Sequence, residues 1–251
     1  MSMFDKPYAI PAVALAAGKI AGARVERMIG RNGAVTTAED VWSSGGDWAA
    51  PATAEVVNLV SADAADDAAG TGARTILVEG TNDQYALDSE TVTMDGVTPV
   101  PTVKKFWNIH RMTIATAGSG GTNAGLITAT SAAAGTPIID SMSAGASHSR
   151  SSIFLVPDGY TAYVPHFAIE NDNGTANSSV RVALFAKTPT GVWVPHMGGT
   201  ITNTGSSHKV FKPSVAGVFT ARTWLKARVT VISGGSAFVA ANYEIILLPG
   251  A

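Results

Sequence analysis

The amino-acid sequence predicts an all-β protein, an N-terminal extended arm followed by two antiparallel β-sandwich or jelly-roll-like domains. Three observations lead there. Apolar residues recur with a period of two from Ala54 onward. Glycine- and proline-containing turns punctuate that pattern at strand-length intervals, as in sandwiches and small barrels. No later stretch carries the 3.6-residue period of an amphipathic helix.

Residues 1–48 are the expected arm. Ile10–Met28 has loose helical character, but Pro11, Gly18 and Gly22 cut it. Gly30, Gly33, Gly45 and Gly46 interrupt the remainder of the segment. The arm has no core of its own and reads either as a strap lying on the next domain or on a partner, or as a poorly ordered leader.

Residues 49–145 form the first expected domain. Glu55–Val60 and Thr75–Glu79 are short β-rich runs separated by the soft loop Ser61–Gly72. Glu90–Met94 alternates and ends in Asp95-Gly96, a dipeptide suited to a tight hairpin because glycine accepts positive φ. Trp107–Thr116 is a longer run, and Gly118-Ser119-Gly120-Gly121 turns the chain after it. Leu126–Thr130 returns it, and Ile138–Met142 closes the set.

Residues 146–251 form the second domain, the linker being the Ser/Ala/Gly stretch Ser143–Ser152. Ile153–Val156 leads through Pro157-Asp158-Gly159 into Tyr160–Ile169, and Asn173-Gly174 marks the next turn. Val180, Val182, Leu184 and Ala186 then share one face, with Arg181 and Lys187 on the other. Thr188-Pro189-Thr190-Gly191 turns the chain into Val192–Pro195. Leu225, Ala227, Val229 and Val231 make another inward face. Phe238–Leu248 is apolar on both sides, which predicts a central or interface strand.

Composition limits what such a protein does. Charged residues are 14% of the 251-residue chain and the net charge is −2, against roughly 25% charged in ordinary soluble domains. Small residues replace them, giving a surface suited to flat contacts. No Lys/Arg run offers the clustered cations that nucleic acid requires. Tyr8–Ala23, broken by Pro11 and Lys19, is too weak for a membrane span. No cationic leader precedes it, so a secretory signal is not expected. The absence of cysteine removes disulfides and thiolate metal sites.

The search for chemistry predicts no catalytic residue, no cofactor and no metal. His166 and His196 share a Val-Pro-His context, and two converging imidazoles are capable of holding a metal. Without a third ligand at suitable spacing they read as rim residues beside strand-ending prolines. Asp63, Asp66 and Asp67 make an acidic loop, and Glu170–Gly174 lacks the spacing of a calcium loop. Gly70-Thr71-Gly72 and Gly118–Gly121 lack the adjoining helix and lysine of a phosphate loop. Asn173-Gly174-Thr175 and Asn177-Ser178-Ser179 match the glycosylation sequon, which matters only on a eukaryotic secretory route. Trp42, Trp48, Trp107, Trp193 and Trp224 are read as core or interface anchors, sugar stacking being the alternative.

Several runs resemble tailed-bacteriophage virion structural proteins. They are Glu39-Asp40-Val41-Trp42 with Gly45-Gly46, Ala69–Thr75 leading to Val78-Glu79-Gly80, Glu90–Gly96, and Val156–Tyr163. The likeness covers residues 39 to 170 and lies in turns and strand starts. It implies a non-enzymatic role like that of capsid cement (decoration) proteins, on the capsid surface, with the major capsid protein and copies of the chain itself, as a homotrimer, for partners. Neck, tail or fibre-like components, including carbohydrate- or receptor-binding ones, are the alternative.

Overall fold

The computed structural model describes residues 15, 18–132, 138–172, 179–202 and 206–250. The Asn173-Gly174 turn and the sequon asparagines 173 and 177 lie outside them. Every element assigned among the described residues is a strand, sixteen in all, so the chain is all-β as its period of two requires.

The first strand, β1 (Arg24–Val35), runs antiparallel along the last, β16 (Ala237–Pro249), from Arg24 opposite Leu247 to Val35 opposite Ala237. Arg24–Met28, which the sequence places at the end of a loosely helical stretch, is therefore strand. Pairing with a long buried neighbour overrides a weak local preference.

Residues 55–142 form one six-stranded antiparallel sheet. Its members are β2 (Glu55–Ser61), β3 (Ala73–Asn82), β4 (Leu87–Thr93), β5 (Val100–Ala117), β6 (Ile127–Ser131) and β7 (Ile138–Met142), in the order β4-β3-β5-β2-β6-β7. Alternation decides which side is buried: on β2, Val57, Leu59 and Ser61 point inward and the residues between them are partly exposed. Bulges interrupt the β3–β5 ladder at four places, and such irregularities bend and twist a sheet. The sheet curls until β7 lies across β5. The segment after β7 then joins the edge of β5: the Ser149 N–H donates to the Met112 carbonyl at 2.8 Å, and the Ile114 N–H to that of Ser147 at 3.0 Å. The enclosed core holds Ile76, Val78, Phe106, Ile109, Met112 and Ile127, all fully buried.

The Asp95-Gly96 turn is present, with φ of 58° at Gly96. It is not the tip of a hairpin between neighbours, because β3 lies between β4 and β5. The bend instead rests against the acidic loop, where the Gly96 N–H donates to the Asp66 carbonyl at 2.8 Å.

The other ten strands make two sheets face to face. They are β1, β8 (Phe154–Leu155), β9 (Tyr160–Val164), β10 (Phe167–Asp172), β11 (Ser179–Lys187), β12 (Val194–Thr202), β13 (Ser206–Phe211), β14 (Gly217–Phe219), β15 (Trp224–Ser233) and β16. One sheet runs β13-β10-β16-β9-β14 with β1 on the far side of β16, and the other β12-β11-β15-β8. Strand β16 is central, as its two-sided apolar sequence predicts. The run Tyr160–Ile169 becomes two strands because Pro165, having no N–H, interrupts the ladder. Both strands still pair with β16.

Between the sheets lie Phe154, Phe167, Tyr243, Val180, Val182 and Leu184, among others. The four alternating residues of β11 are inward as expected. On β15, Leu225, Ala227 and Val229 are inward, but Val231 is 54% exposed. A bulge between Arg181 and Val182 changes the phase of the ladder there, and Ile232 packs against the core instead.

Candidate functional site

All five tryptophans meet in one cluster, formed where the curled sheet abuts the two-sheet unit. Trp42, Trp48 and Trp224 are buried with Ile153 and Leu155, and Trp107, Trp193 and Tyr85 pack against them. The Trp48 and Trp224 rings lie 5.1 Å apart and tilted by 49°. Trp107 stacks on Tyr85, again at 5.1 Å. Two of the indoles also hydrogen-bond: Trp48 Nε1–H donates to the Ile139 carbonyl and Trp42 Nε1–H to that of Gly46, each at 3.1 Å.

Hydrogen bonds cross the same seam. Thr81 Oγ1 donates to the Leu155 carbonyl and Asn108 Nδ2 to that of Ile153. Arg222 lies over Tyr85 at 4.2 Å while its guanidinium grips Asp158. The residues expected as interface anchors are thus brought together inside one chain. Only Trp107 and Trp193 are partly exposed.

Beside the cluster, residues 39–41 pair with the edge of β15, the Val41 N–H donating to the Ala227 carbonyl and the Val229 N–H to that of Glu39, both at 2.9 Å. Asp40 is fully buried; Lys226 Nζ donates to it at 2.6 Å, Arg228 Nη1 at 3.0 Å, and the Trp48 N–H at 2.8 Å. Arg228 also reaches Asp47 at 2.6 Å. Lys226 sits 4.4 Å from the Trp193 ring centre. Alternation places Lys226 on the outward face, but Asp40 and the tryptophans cover it.

The loops considered for chemistry are structural. Asp66 accepts from Ser61 Oγ and from the N–H groups of Ala73, Ala124 and Gly125. Burial alone would raise its carboxyl, yet these donors outweigh it and hold the group below the usual carboxylate range. The two glycine loops pair with each other, the Gly118 N–H donating to the Gly72 carbonyl and the Gly120 N–H to that of Thr71, both at 2.8 Å.

No group of three or more His, Cys, Asp or Glu side chains is arranged to hold a metal among the described residues. His196 packs edge-on to Phe219, and no described contact joins it to His166. His110 is buried against Phe154; burial, and then Arg111, lowers its imidazole to about 3. Asp140, also buried, is raised to about 7 by that burial, against opposing hydrogen bonds from Ser149 and the Ser141 N–H.

One feature has no signature in the sequence: a polar cleft of about 740 Å³ between residues 31–46 and 143–150, with Arg31 and Arg150 in its wall. Its two sides are about a hundred residues apart along the chain, so no local motif marks it.

No family model matches this chain, and no curated protein does. Among solved structures, that of infectious bursal disease virus Gx strain aligns over 91% of this chain and 72% of its own, at 10% identity and a TM-score of 0.28. The infectious bursal disease virus VP2 subviral particle aligns over 96% and 87%, at 7% identity and a TM-score of 0.13. Superpositions this loose carry no argument about ancestry or activity. The class defined by the strands themselves is an all-β protein of three antiparallel sheets.

Proposed function

We propose that the chain is a non-enzymatic structural component of a virion, and in particular a capsid cement protein. It binds adjacent major capsid subunits and other copies of itself, as a trimer on the capsid surface, and stabilises the head by adding buried area at subunit junctions. The observation that carries this is where the exposed apolar residues lie. Among the described residues eleven large hydrophobic side chains are exposed, nine of them valine. Val194, Val210 and Val218 lie on β12, β13 and β14, each at the end of its sheet. Soluble proteins usually guard such edges with charge or cover, whereas valines there suit a contact between proteins. The low charge and the resemblance to tailed-phage virion proteins support the same reading. A standard interface buries roughly 1,600 Å², and repetition over a shell multiplies a modest gain per copy.

A neck, tail or fibre-like position is the second reading, favoured by the polar cleft, which a pure clamp does not need. Cryo-EM of intact virions with this chain fitted into the density separates the two. Copies on the order of hundreds over the shell support cement. Density confined to one vertex or the tail, at about a dozen copies as closed rings give, overturns it. Tests by truncation must spare β1 and Asp40, since removing residues 1–45 would take away a paired strand and a buried charge.

A further inference from the structure

The cleft between residues 31–46 and 143–150 is built rather than incidental. The Arg31 guanidinium lies flat on Phe238, 4.2 Å from the ring centre, and is exposed, which leaves its edges able to donate. The Arg150 backbone is held on both sides: its carbonyl accepts from the Arg31 N–H and from Ser43 Oγ, and its N–H donates to Ser43 Oγ. The two arginine backbones therefore belong to one hydrogen-bonded unit.

Two donors there lack acceptors. Asn32 is 5% exposed; its Oδ1 takes the Ala34 N–H, but its Nδ2 has no partner, and neither does the buried Nε of Arg150. The one carboxylate in the wall, Glu39, is already engaged, accepting the N–H groups of Thr36 and Gly46. These two donors are buried behind the wall, and the wall itself, with two guanidinium groups and one engaged carboxylate, carries an excess of positive charge.

Its walls limit the ligand further. The largest purely apolar side chain lining it is alanine, and the remainder is hydroxyl and bare backbone, including Thr37, Ser143, Gly33 and Gly145. An apolar acid would gain little burial there. A small inorganic anion would leave most of about 740 Å³ empty, a volume within the range of organic-ligand sites, roughly 300–1,000 Å³.

We propose that this cleft binds a carboxylate-bearing saccharide, with Arg31 and Arg150 gripping the carboxylate and the hydroxyl-and-backbone wall receiving the ring hydroxyls. The site uses none of the edge strands β12, β13 and β14 on which the cement reading rests, so the two proposals stand or fail separately.

The test is titration of the full chain with trigalacturonate, its fully methyl-esterified form, acetate, and an acidic peptide with a free C-terminus, monitored by calorimetry and amide NMR. Saturable binding of trigalacturonate with shifts at residues 31–46 and 143–150 is expected. Esterification, Arg31→Gln and Arg150→Gln are each expected to weaken it about tenfold to a hundredfold, the value of a charge-assisted hydrogen bond. Ala144→Tyr, at an exposed position in the wall, is expected to block binding with the thermal melt unchanged. The ester comparison needs no mutant, so a variant that fails to fold does not rescue the idea. No binding, equal binding of the ester, equal affinity for acetate, or tighter binding of the peptide each overturns it.

Discussion

Replacing Asp40 with alanine tests how the N-terminal segment is held. Asp40 is fully buried and the Lys226 side chain is 5% exposed. The substitution leaves Arg228 its contact to Asp47 at 2.6 Å. It leaves Lys226 a buried ammonium over the face of Trp193, with Asp47 within electrostatic range. Removing one member of a buried pair costs about 3–5 kcal/mol, because the survivor is charged and desolvated. The Trp48 N–H loses its acceptor as well. For a chain of this size each kcal/mol lowers Tm by roughly 2–4 °C, so Asp40→Ala is expected to melt roughly 6–20 °C lower. Urea denaturation of the wild type, Asp40→Ala, Lys226→Met and the double variant gives the coupling directly. The double variant is expected to recover part of the loss, with a coupling of about 1–3 kcal/mol. A loss under about 1 kcal/mol with no coupling would show that the pair is solvated and the segment loosely held.

Two further perturbations probe other parts of the fold. The folded Asp140 carboxyl keeps its proton to about pH 7, whereas the unfolded one releases it near its ordinary 3.8. Stability is therefore progressively lost as pH rises from about 4 to about 7, by at most roughly 4 kcal/mol at 1.36 kcal/mol per unit. Above pH 7 the full loss persists. Asp140→Asn is expected to flatten that part of the profile in denaturant titrations across pH; an unchanged difference between the two proteins would refute the assignment. Gly30 on β1 passes so close to residues 41 and 152 that an added Cβ would collide with the Val41 carbonyl oxygen and approach Ser152 Cβ to 2.6 Å. Gly30→Ala is expected to cost about 1–3 kcal/mol by overpacking, read as a lower urea midpoint, and Gly33→Ala, with nothing within 4 Å, is the control.

Period-two alternation is a good guide wherever one face of a strand meets a core and the other meets solvent. Strand β11 behaves that way, and so does β2, whereas β7 has the expected bounds, Ile138–Met142, but is buried on both faces. Legibility ends where tertiary pairing decides. Strand β1 is polar and glycine-bearing, and only β16 makes it a strand. The short β14 and the exposed β13 carry too little pattern to stand out. The Asp95-Gly96 dipeptide marks a turn correctly, but a dipeptide cannot say that β3 is inserted between its flanking strands. For the tryptophans, residue type announces that they anchor something. Their convergence depends on how two separately folded surfaces meet, and no spacing along the chain encodes that. The cleft is hidden for a related reason: Arg31 and Arg150 are ordinary surface arginines until the Ser43 and Arg150 backbone contacts bring their segments together.

The buried ion pair and the tryptophan seam do different work in the same place. Aromatic packing is strong but only weakly directional; where residues 39–48 sit along β15 is set by backbone pairing, the Val41 N–H donating to the Ala227 carbonyl and the Val229 N–H to that of Glu39. The ion pair reinforces that register. Asp40 satisfies Lys226, Arg228 and the Trp48 N–H at once, and a shift by one residue would break the backbone pairing and take the acceptor from the buried Lys226. Register also matters for β1, the strand just upstream, since a one-residue slip against β16 would turn Met28 and Val35 out of the core. In a chain with 17 Lys and Arg, burying one of them is a cost that a hydrophobic pair would avoid. What the cost adds is a second lock, beside the backbone pairing, on one alignment of the N-terminal segment. That alignment sets both the wall of the cleft and the outer face of the sheet to which β1 belongs, so the position of Asp40 reaches the two surfaces through which this protein would meet its partners.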